Sequence, residues 1–171
     1  MNIQRRLFLA ILVTIAWPFM SKANDDVEVC FTPPMGCTKV ISNAIFEAKE
    51  SIYVQAYGMS STVIANALIK AKQKGLVVEI ILDKSNLSQN YSQINELKDN
   101  GIIVSIDRVP GIAHNKVMII DKTKVITGSF NFTAAAETRN AENVIIVNDK
   151  EIANKYLENW YNRKNKTVNI K

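Results

Sequence analysis

The stretch AHNKVMIIDKTKVITGSFNFT, residues 113–133, contains two apolar runs on either side of a short polar turn. The runs are KVMII (116–120) and KVIT (124–127). The segment between them is too short for a crossover connection, so the two runs predict an antiparallel β-hairpin. The two-residue turn Lys122–Thr123 would pair Asp121 with Lys124. This register brings four polar side chains to one face at the open end of the hairpin: His114, Lys116, Ser129 and Asn131.

Those four side chains suit the transfer of a phosphoryl group. His114 is the only histidine of the chain, and it is the one group here that can act as nucleophile or proton donor near neutral pH. Lys116 offers positive charge, and Ser129 and Asn131 offer hydrogen bonds to phosphate oxygens. Gly128 lies where the backbone has to bend or approach a ligand closely. Such chemistry uses two imidazoles, one to attack and one to protonate the leaving oxygen, whereas this chain has one.

The rest of the chain alternates strands with helices around this hairpin. The predicted strands are 27–31, 51–57, 76–82, 102–107, 116–120, 124–127 and 143–148, and the predicted helices are 38–49, 60–75, 92–101 and 149–163. The last residues, RKNKTVNIK, are expected to be a polar tail. Alternation of this kind predicts an α/β domain over residues 24–171, with a mixed β-sheet flanked by helices on both faces.

The N-terminal segment is typical of a signal peptide. A basic start is followed by an apolar run of 14 residues and by the small residues Ser21 and Ala23. The run is short for a membrane-spanning helix, so we favour cleavage after Ala23 over an uncleaved membrane anchor. We therefore expect a periplasmic or secreted protein. Removing residues 1–23 takes away three basic residues and no acidic one, which lowers the formal charge from +5 to +2. Net charge alone therefore does not identify a polyanionic partner.

Both cysteines lie in the segment CFTPPMGC, residues 30–37. In an oxidising compartment they would form a Cys30–Cys37 disulfide. A zinc knuckle is the alternative, but two cysteines without a further histidine cannot complete a closed zinc site. We predict a structural disulfide and no metal.

The motif residues resemble a known family. His114 and Lys116, then Asp121 after four residues, then Gly128, Ser129 and Asn131 after six more, match the HxKx4Dx6GSxN signature of the phospholipase D superfamily. The length, the element order and the signal peptide are similar to those of its small bacterial periplasmic endonucleases, the Nuc type. The resemblance implies a phospholipase D-like α-β-α sandwich.

The resemblance also implies a mechanism. In that family one histidine attacks phosphorus to form a phosphohistidine, a second histidine protonates the leaving oxygen, and neither a metal nor another cofactor takes part. Chains with a single motif obtain the second histidine by forming a homodimer. A carboxylate that follows the motif orients the histidine, and Glu142 matches it better than Glu137 does. Asp121, at the start of the hairpin turn, is expected to be structural because Asp there commonly bonds to the turn backbone.

Three functions remain open from the sequence. The first is a nonspecific endonuclease that binds the backbone phosphates of DNA, with RNA as a further substrate. The second is a membrane-associated phospholipase D that cleaves phospholipids with the same residues. The third is a nucleic-acid-binding module without activity, which the complete residue set argues against.

Further candidate phosphate contacts are basic residues: Lys70, Lys72 and Lys74, and with more weight Lys122, Lys124 and Arg139. Ser60 and Ser61 line a pocket or cap a helix.

Overall fold

The computed structural model describes residues 26–170. The predicted signal peptide, residues 1–23, lies outside the described residues. In chain order the elements are β1 (Val27–Thr32), α1 (Cys37–Glu47), β2 (Ser51–Ala56), α2 (Thr62–Gln73), β3 (Val77–Asp83), α3 (Ile94–Asp99), β4 (Ile103–Asp107), β5 (Lys116–Ile120), β6 (Lys124–Gly128), α4 (Ala134–Thr138), β7 (Glu142–Asn148), α5 (Lys150–Lys164) and β8 (Val168–Asn169). No helix among the described residues is long and apolar enough to cross a membrane.

The strands form one mixed sheet in the order β1-β7-β6-β5-β2-β3-β4-β8. Strands β2, β3 and β4 are parallel neighbours, joined by the crossover helices α2 and α3, and the other neighbours are antiparallel. The predicted α/β fold with a mixed sheet is therefore confirmed. Strand β5 lies in the middle of the sheet and pairs with β2 and β6, which fixes the start of the hairpin against the fully buried strand β2.

Helices cover both faces of this sheet, as predicted. The larger core packs α1, α2 and α3 against one face, on which Val54, Met118 and Ile126 lie side by side. The smaller core packs α5 against the opposite face. Trp160 of α5 is buried there, and its Nε1 donates to the carbonyl of Val54 at 2.9 Å. Trp160 is thus a core residue.

The chain end differs from the predicted polar tail. Val168 and Asn169 form β8, which pairs antiparallel with the otherwise free edge of β4. The Ser105 hydroxyl donates to Asn169 Oδ1 at 2.6 Å, and Ile170 packs against the larger core. Because this segment is two residues long and mostly polar, hydrophobic periodicity could not reveal it. The short helix α4 and a 3-10 turn at Lys84–Leu87 were also not predicted.

A disulfide joins β1 to α1. Cys30 and Cys37 are bonded, and their Cα atoms lie 5.6 Å apart. The loop that they close is also held by Glu137, whose carboxylate accepts hydrogen bonds from the backbone N–H groups of Gly36 (2.6 Å) and Thr38 (2.9 Å). Since these N–H groups belong to the first turn of α1, Glu137 acts as a cap for that helix.

Candidate active site

His114 lies in the loop that enters β5. Its side chain is exposed, and its ring lies 4.6 Å from the ring of Tyr57, centroid to centroid. The next residue, Asn115, is tied to the neighbouring strand because its carbonyl accepts from Tyr57 N at 2.8 Å and its Oδ1 accepts from Gln55 Nε2 at 3.1 Å. The His114 ring forms no hydrogen bond with any of residues 26–170, so both of its nitrogens are open to a substrate or a second chain.

A buried aspartate fixes the loop immediately before His114. Asp83, at the end of β3, is fully buried and accepts from the N–H of Ala113 at 2.7 Å. Burial alone would raise the pKa of Asp83, but hydrogen bonds from the Ser85 and Ala113 backbones outweigh it and the pKa is lowered. The ammonium group of Lys84 donates to the carbonyls of Val109 and Pro110 in the same loop. Asp83 was not among the residues found from the sequence.

Lys116 is a buried cation at the first position of β5. It is 7% exposed, and its Nζ donates to the carbonyl of His114 at 2.7 Å and lies 5.3 Å from the ring centroid of Tyr57. Burial lowers the pKa of Lys116, and the negative charge of Glu142 opposes this effect. An ammonium group has three donors, so Lys116 keeps the capacity to bind an anion beside His114.

Glu142 and Ser129 lie together next to Lys116. Ser129 Oγ donates to Glu142 Oε2 at 2.5 Å, and Asn140 Nδ2 donates to Glu142 Oε1 at 2.8 Å. Glu142 therefore lies in the cluster, whereas its competitor Glu137 caps α1. The expected contact between Glu142 and the His114 ring is not formed in the single chain, where the carboxylate accepts from Ser129 and Asn140.

Asn131 completes the group on the side of Gly58. A Cβ placed on Gly58 would lie 3.8 Å from Asn131 Oδ1, so the amide packs directly against the chain that follows β2. Within the described part of the chain, this buried Oδ1 has no hydrogen-bond partner. A buried polar atom without a partner is costly, so the amide group has capacity for a ligand.

The predicted hairpin register is wrong by one residue. Ile120 pairs with Lys124, and Met118 pairs with Ile126. The turn therefore has three residues, and Asp121 and Lys122 take positive φ angles of 51° and 56°. In this register Lys116 is level with Gly128 rather than with Ser129, so strict alternation would turn Ser129 to the opposite face.

A bulge after Gly128 restores the convergence. The N–H groups of Ser129 and Phe130 both donate to the carbonyl of Asn143, at 3.1 and 3.3 Å, so two residues that follow β6 oppose a single residue of β7. Gly128 has a φ of 142°, and a Cβ there would lie 2.3 Å from the same carbonyl oxygen. The extra residue turns Ser129 back to the face that carries Lys116 and Glu142. The site thus forms through two one-residue shifts that compensate each other.

Asp121 holds the far end of the hairpin. Its carboxylate accepts from three successive backbone N–H groups between α1 and β2, those of Lys49 (2.9 Å), Glu50 (2.8 Å) and Ser51 (3.0 Å). The sequence had suggested that Asp121 binds the backbone of its own turn, but it binds a neighbouring connection instead. It follows Lys116 by five positions along β5, about 16 Å at 3.3 Å per residue.

We expect Asp121→Asn to weaken the fold and to spare the chemistry. The carboxylate has two acceptor oxygens and a negative charge, whereas the amide has one acceptor oxygen and no charge. The free energy of unfolding should therefore fall by about 1–3 kcal/mol. The cleavage rate of the folded variant should stay within about threefold of the wild type, because the side chain lies far from His114. Urea unfolding and an initial-rate assay measure the two effects. Normal stability together with lost cleavage would contradict a structural role.

The other basic candidates are distributed unevenly. Lys122 is at the tip of the hairpin, and Lys124 forms an ion pair with Glu47 at 3.5 Å, so both lie at the end of the sheet away from His114. Lys74 lies 3.9 Å over the ring of Phe46, in the last turn region of α2. Arg139 follows α4 on the side of the site. Ser61 is the N-cap of α2, whereas Ser60 lines a groove beside the site.

Residues 26–170 contain no group of three or more His, Cys, Asp or Glu side chains placed to hold a metal ion. The sequence predicted His114, Lys116, Ser129, Asn131 and Glu142 as site residues, but it did not indicate Tyr57, Asp83 or Asn140. A signal existed for Asp83, since a charged residue ends a strongly apolar strand. Tyr57 and Asn140 have no comparable signal, because each is recognised only by what it touches.

The chain is similar to several known proteins. The family model described as "Cardiolipin synthase, PLD-like domain" matches residues 41–163. A relative named "Phospholipase D" from Rickettsia conorii is 58% identical over 161 residues, which cover 94% of this chain and 80% of the relative. The "Mitochondrial cardiolipin hydrolase" of Homo sapiens is 36% identical over 117 residues, 68% of this chain and 46% of that protein.

Solved structures show the same architecture. Nuc from Salmonella typhimurium, described as a phospholipase D family member, superposes with a TM-score of 0.81 at 36% identity, and the match covers 85% of this chain and 97% of that one. NucT from Helicobacter pylori superposes with a TM-score of 0.76 at 23% identity, over 84% of this chain and 98% of that one, which supports the fold alone.

Proposed function

The chain belongs to the phospholipase D superfamily of phosphodiesterases, and we propose that it is a metal-independent endonuclease that cleaves DNA, with RNA as a further substrate. The observation that carries the proposal is the cluster of Lys116, Glu142 and Ser129 beside the exposed ring of His114. A buried cation next to an accessible imidazole suits an anionic phosphodiester whose charge grows during attack.

The reaction proceeds in two steps, attack by His114 on phosphorus and hydrolysis of the phosphohistidine. A neutral His114 forms a nitrogen–phosphorus bond while the bond from phosphorus to the leaving oxygen breaks, and a protonated histidine transfers its proton to that oxygen. That second imidazole then takes a proton from water, the water oxygen bonds to phosphorus, and the nitrogen–phosphorus bond breaks. Lys116 and the Asn131 amide stabilise the phosphoryl oxygens, and the Glu142 carboxylate, hydrogen-bonded by Ser129, stabilises the charge of Lys116.

The second histidine comes from a second copy of the chain. His114 is the only histidine in the sequence, so a single chain cannot supply both imidazoles. A homodimer whose two-fold axis passes between the motifs would place two His114 rings at one phosphodiester. Two close imidazoles titrate as a coupled pair, and one shared proton gives the neutral nucleophile and the protonated acid that the reaction requires.

Nucleic acid fits this site as substrate because His114 and Ser129 are both exposed and accessible to a polymer. The similarity to Nuc supports the same choice. Hydrolysis of phospholipids is the second candidate, since relatives from Rickettsia that are 58–64% identical carry the name "Phospholipase D". The residues around phosphorus would serve either substrate, so the assay must separate the two.

The test compares both substrates without metal. Plasmid DNA and vesicles of labelled phosphatidylcholine are incubated separately with the protein in EDTA, and His114→Ala is the control for contaminating enzymes. We expect plasmid nicking by the wild type, none by the variant, and no release of choline. Lipid cleavage without DNA or RNA cleavage would replace this proposal by the phospholipase. Binding of nucleic acid without cleavage would indicate an inactive module.

A further inference from the structure

A groove of about 440 Å³ lies beside the candidate active site. Tyr91 lines one side of it, and the short helix α4 with the flanking residues Thr133 and Arg139 lines the other. Ala134 and Ala135 of α4 contribute an apolar surface to the lining. The groove therefore combines an apolar floor, an aromatic ring and a guanidinium group.

The groove lies close to the site. Gly58 packs against both, because a Cβ placed on it would lie 3.1 Å from Thr133 Cγ2 and 3.8 Å from Asn131 Oδ1. The residue before Gly58 is Tyr57, whose ring contacts His114. A substrate held at His114 and Asn131 would extend its neighbouring unit towards Thr133, and so into the groove.

The Tyr91 side of the groove is fixed by a buried asparagine. Asn86 is 2% exposed, and its Nδ2 donates to the carbonyl of Tyr57 at 2.6 Å while its Oδ1 accepts from Met59 N at 3.3 Å. After Tyr91, the N–H of Gln93 donates to the carbonyl of Met59 at 2.9 Å. The loop is therefore attached to the chain beside the site both before and after Tyr91.

The α4 side is attached to the same segment. The N–H groups of Ser60 and Ser61 both donate to the carbonyl of Phe132, at 3.0 and 2.9 Å. Thr133 then caps α4 by accepting from Ala136 N. Since both sides are hydrogen-bonded to residues 57–61, the groove is preformed and its distance from His114 is set by the fold.

The side chains of Tyr91 and Arg139 in the groove form no hydrogen bond or ion pair with the residues that the structure describes. Tyr91 is 65% exposed, and Arg139 is exposed and forms no ion pair with any residue of the described range. An exposed ring stacks well on a planar base, and a guanidinium group binds a phosphate. An acyl chain would use the apolar floor but would leave the charge of Arg139 without a role.

We propose that this groove is a subsite for an unpaired nucleobase next to the scissile phosphate, with the base stacked on Tyr91 and the adjoining phosphate bound by Arg139. This inference rests on the proposed nuclease function. A base can enter the groove only when it leaves its partner strand, so the subsite favours single-stranded over double-stranded substrate.

The test measures binding by the full chain in the inactive His114→Ala background. Fluorescence anisotropy gives the Kd for a single-stranded oligonucleotide and for the duplex of the same sequence. We expect Tyr91→Ala to weaken single-strand binding by about 5- to 100-fold and duplex binding by less than about twofold. Tyr91→Phe should keep the affinity, and so should Asn90→Ala, an exposed neighbour. Arg139→Ala should weaken both and lower the salt dependence by about one phosphate contact.

Cleavage by protein that retains His114 separates the subsite proposal from the nuclease proposal. If it cleaves nucleic acid in EDTA and Tyr91→Ala changes single-strand and duplex affinity equally or not at all, the subsite is refuted and the nuclease stands. If it cleaves phosphatidylcholine vesicles and neither DNA nor RNA, both proposals fail together. Selective loss of single-strand affinity in a variant with unchanged thermal unfolding supports the subsite.

Discussion

Replacing His114 by alanine should abolish phosphodiester cleavage while the fold stays intact. We expect a loss of at least about 10⁴-fold in kcat, because the variant lacks both the attacking nitrogen and the proton donor. The side chain is exposed, and its ring contact with Tyr57 is its only interaction in the described structure, so the free energy of unfolding should change by less than about 1 kcal/mol. Initial rates of plasmid nicking and urea unfolding provide the two values.

Lys122→Ala is the matched control for that variant. Like His114→Ala, it removes an exposed basic side chain from the motif segment, but Lys122 lies at the hairpin tip, away from the site. Its rate should equal that of the wild type. A folded His114→Ala protein that keeps more than about a hundredth of the wild-type rate would rule out His114 as the nucleophile.

Gly128→Ala should have the largest effect on stability. The new Cβ would lie 2.3 Å from the backbone oxygen of Asn143, in a residue with a φ of 142°. Because a backbone atom of a paired strand cannot rotate away as a side chain can, the β6–β7 pairing must shift. We expect a loss of about 3 kcal/mol or more, as strain and overpacking combine. Movement of Ser129 should also lower the activity of the protein that still folds.

Gly75→Ala separates the two causes. Gly75 has a φ of 92°, but a Cβ there would meet nothing within 4 Å, so this variant carries the backbone strain without the clash. It should lose about 1 kcal/mol and keep full activity. Equal unfolding free energies for the two variants would show that the bulge at Gly128 tolerates a side chain and does not direct Ser129.

The side chains of the candidate site could be predicted because their spacing follows the strands. His114, Lys116 and the GSxN segment lie on either side of two apolar runs, and those runs do form the paired strands β5 and β6. The alternation of strands and helices likewise gave the mixed sheet, because each run was long enough to show its period.

The exact pairing could not be predicted, because it depends on backbone conformations. A three-residue turn needs the positive φ angles of Asp121 and Lys122, which neither residue type demands. The partners of Asp121 lie about 70 residues earlier in the chain, at Lys49 to Ser51, so no local pattern reveals them. The bond from Ala113 to Asp83 likewise joins residues 30 positions apart, so its partner could not be predicted even though Asp83 itself ends an apolar strand.

The central claim is that one chain supplies half of a site, and mixing subunits tests it most directly. Wild-type and His114→Ala proteins are combined in equal amounts, allowed to exchange, and assayed for cleavage in EDTA at constant total protein. If each site needs both copies of His114, random pairing leaves about one quarter of the dimers active, and the rate should fall to about a quarter of the wild-type value. A rate of about one half, from a species that sediments as a monomer at all concentrations, would show that each chain works alone and would contradict the account.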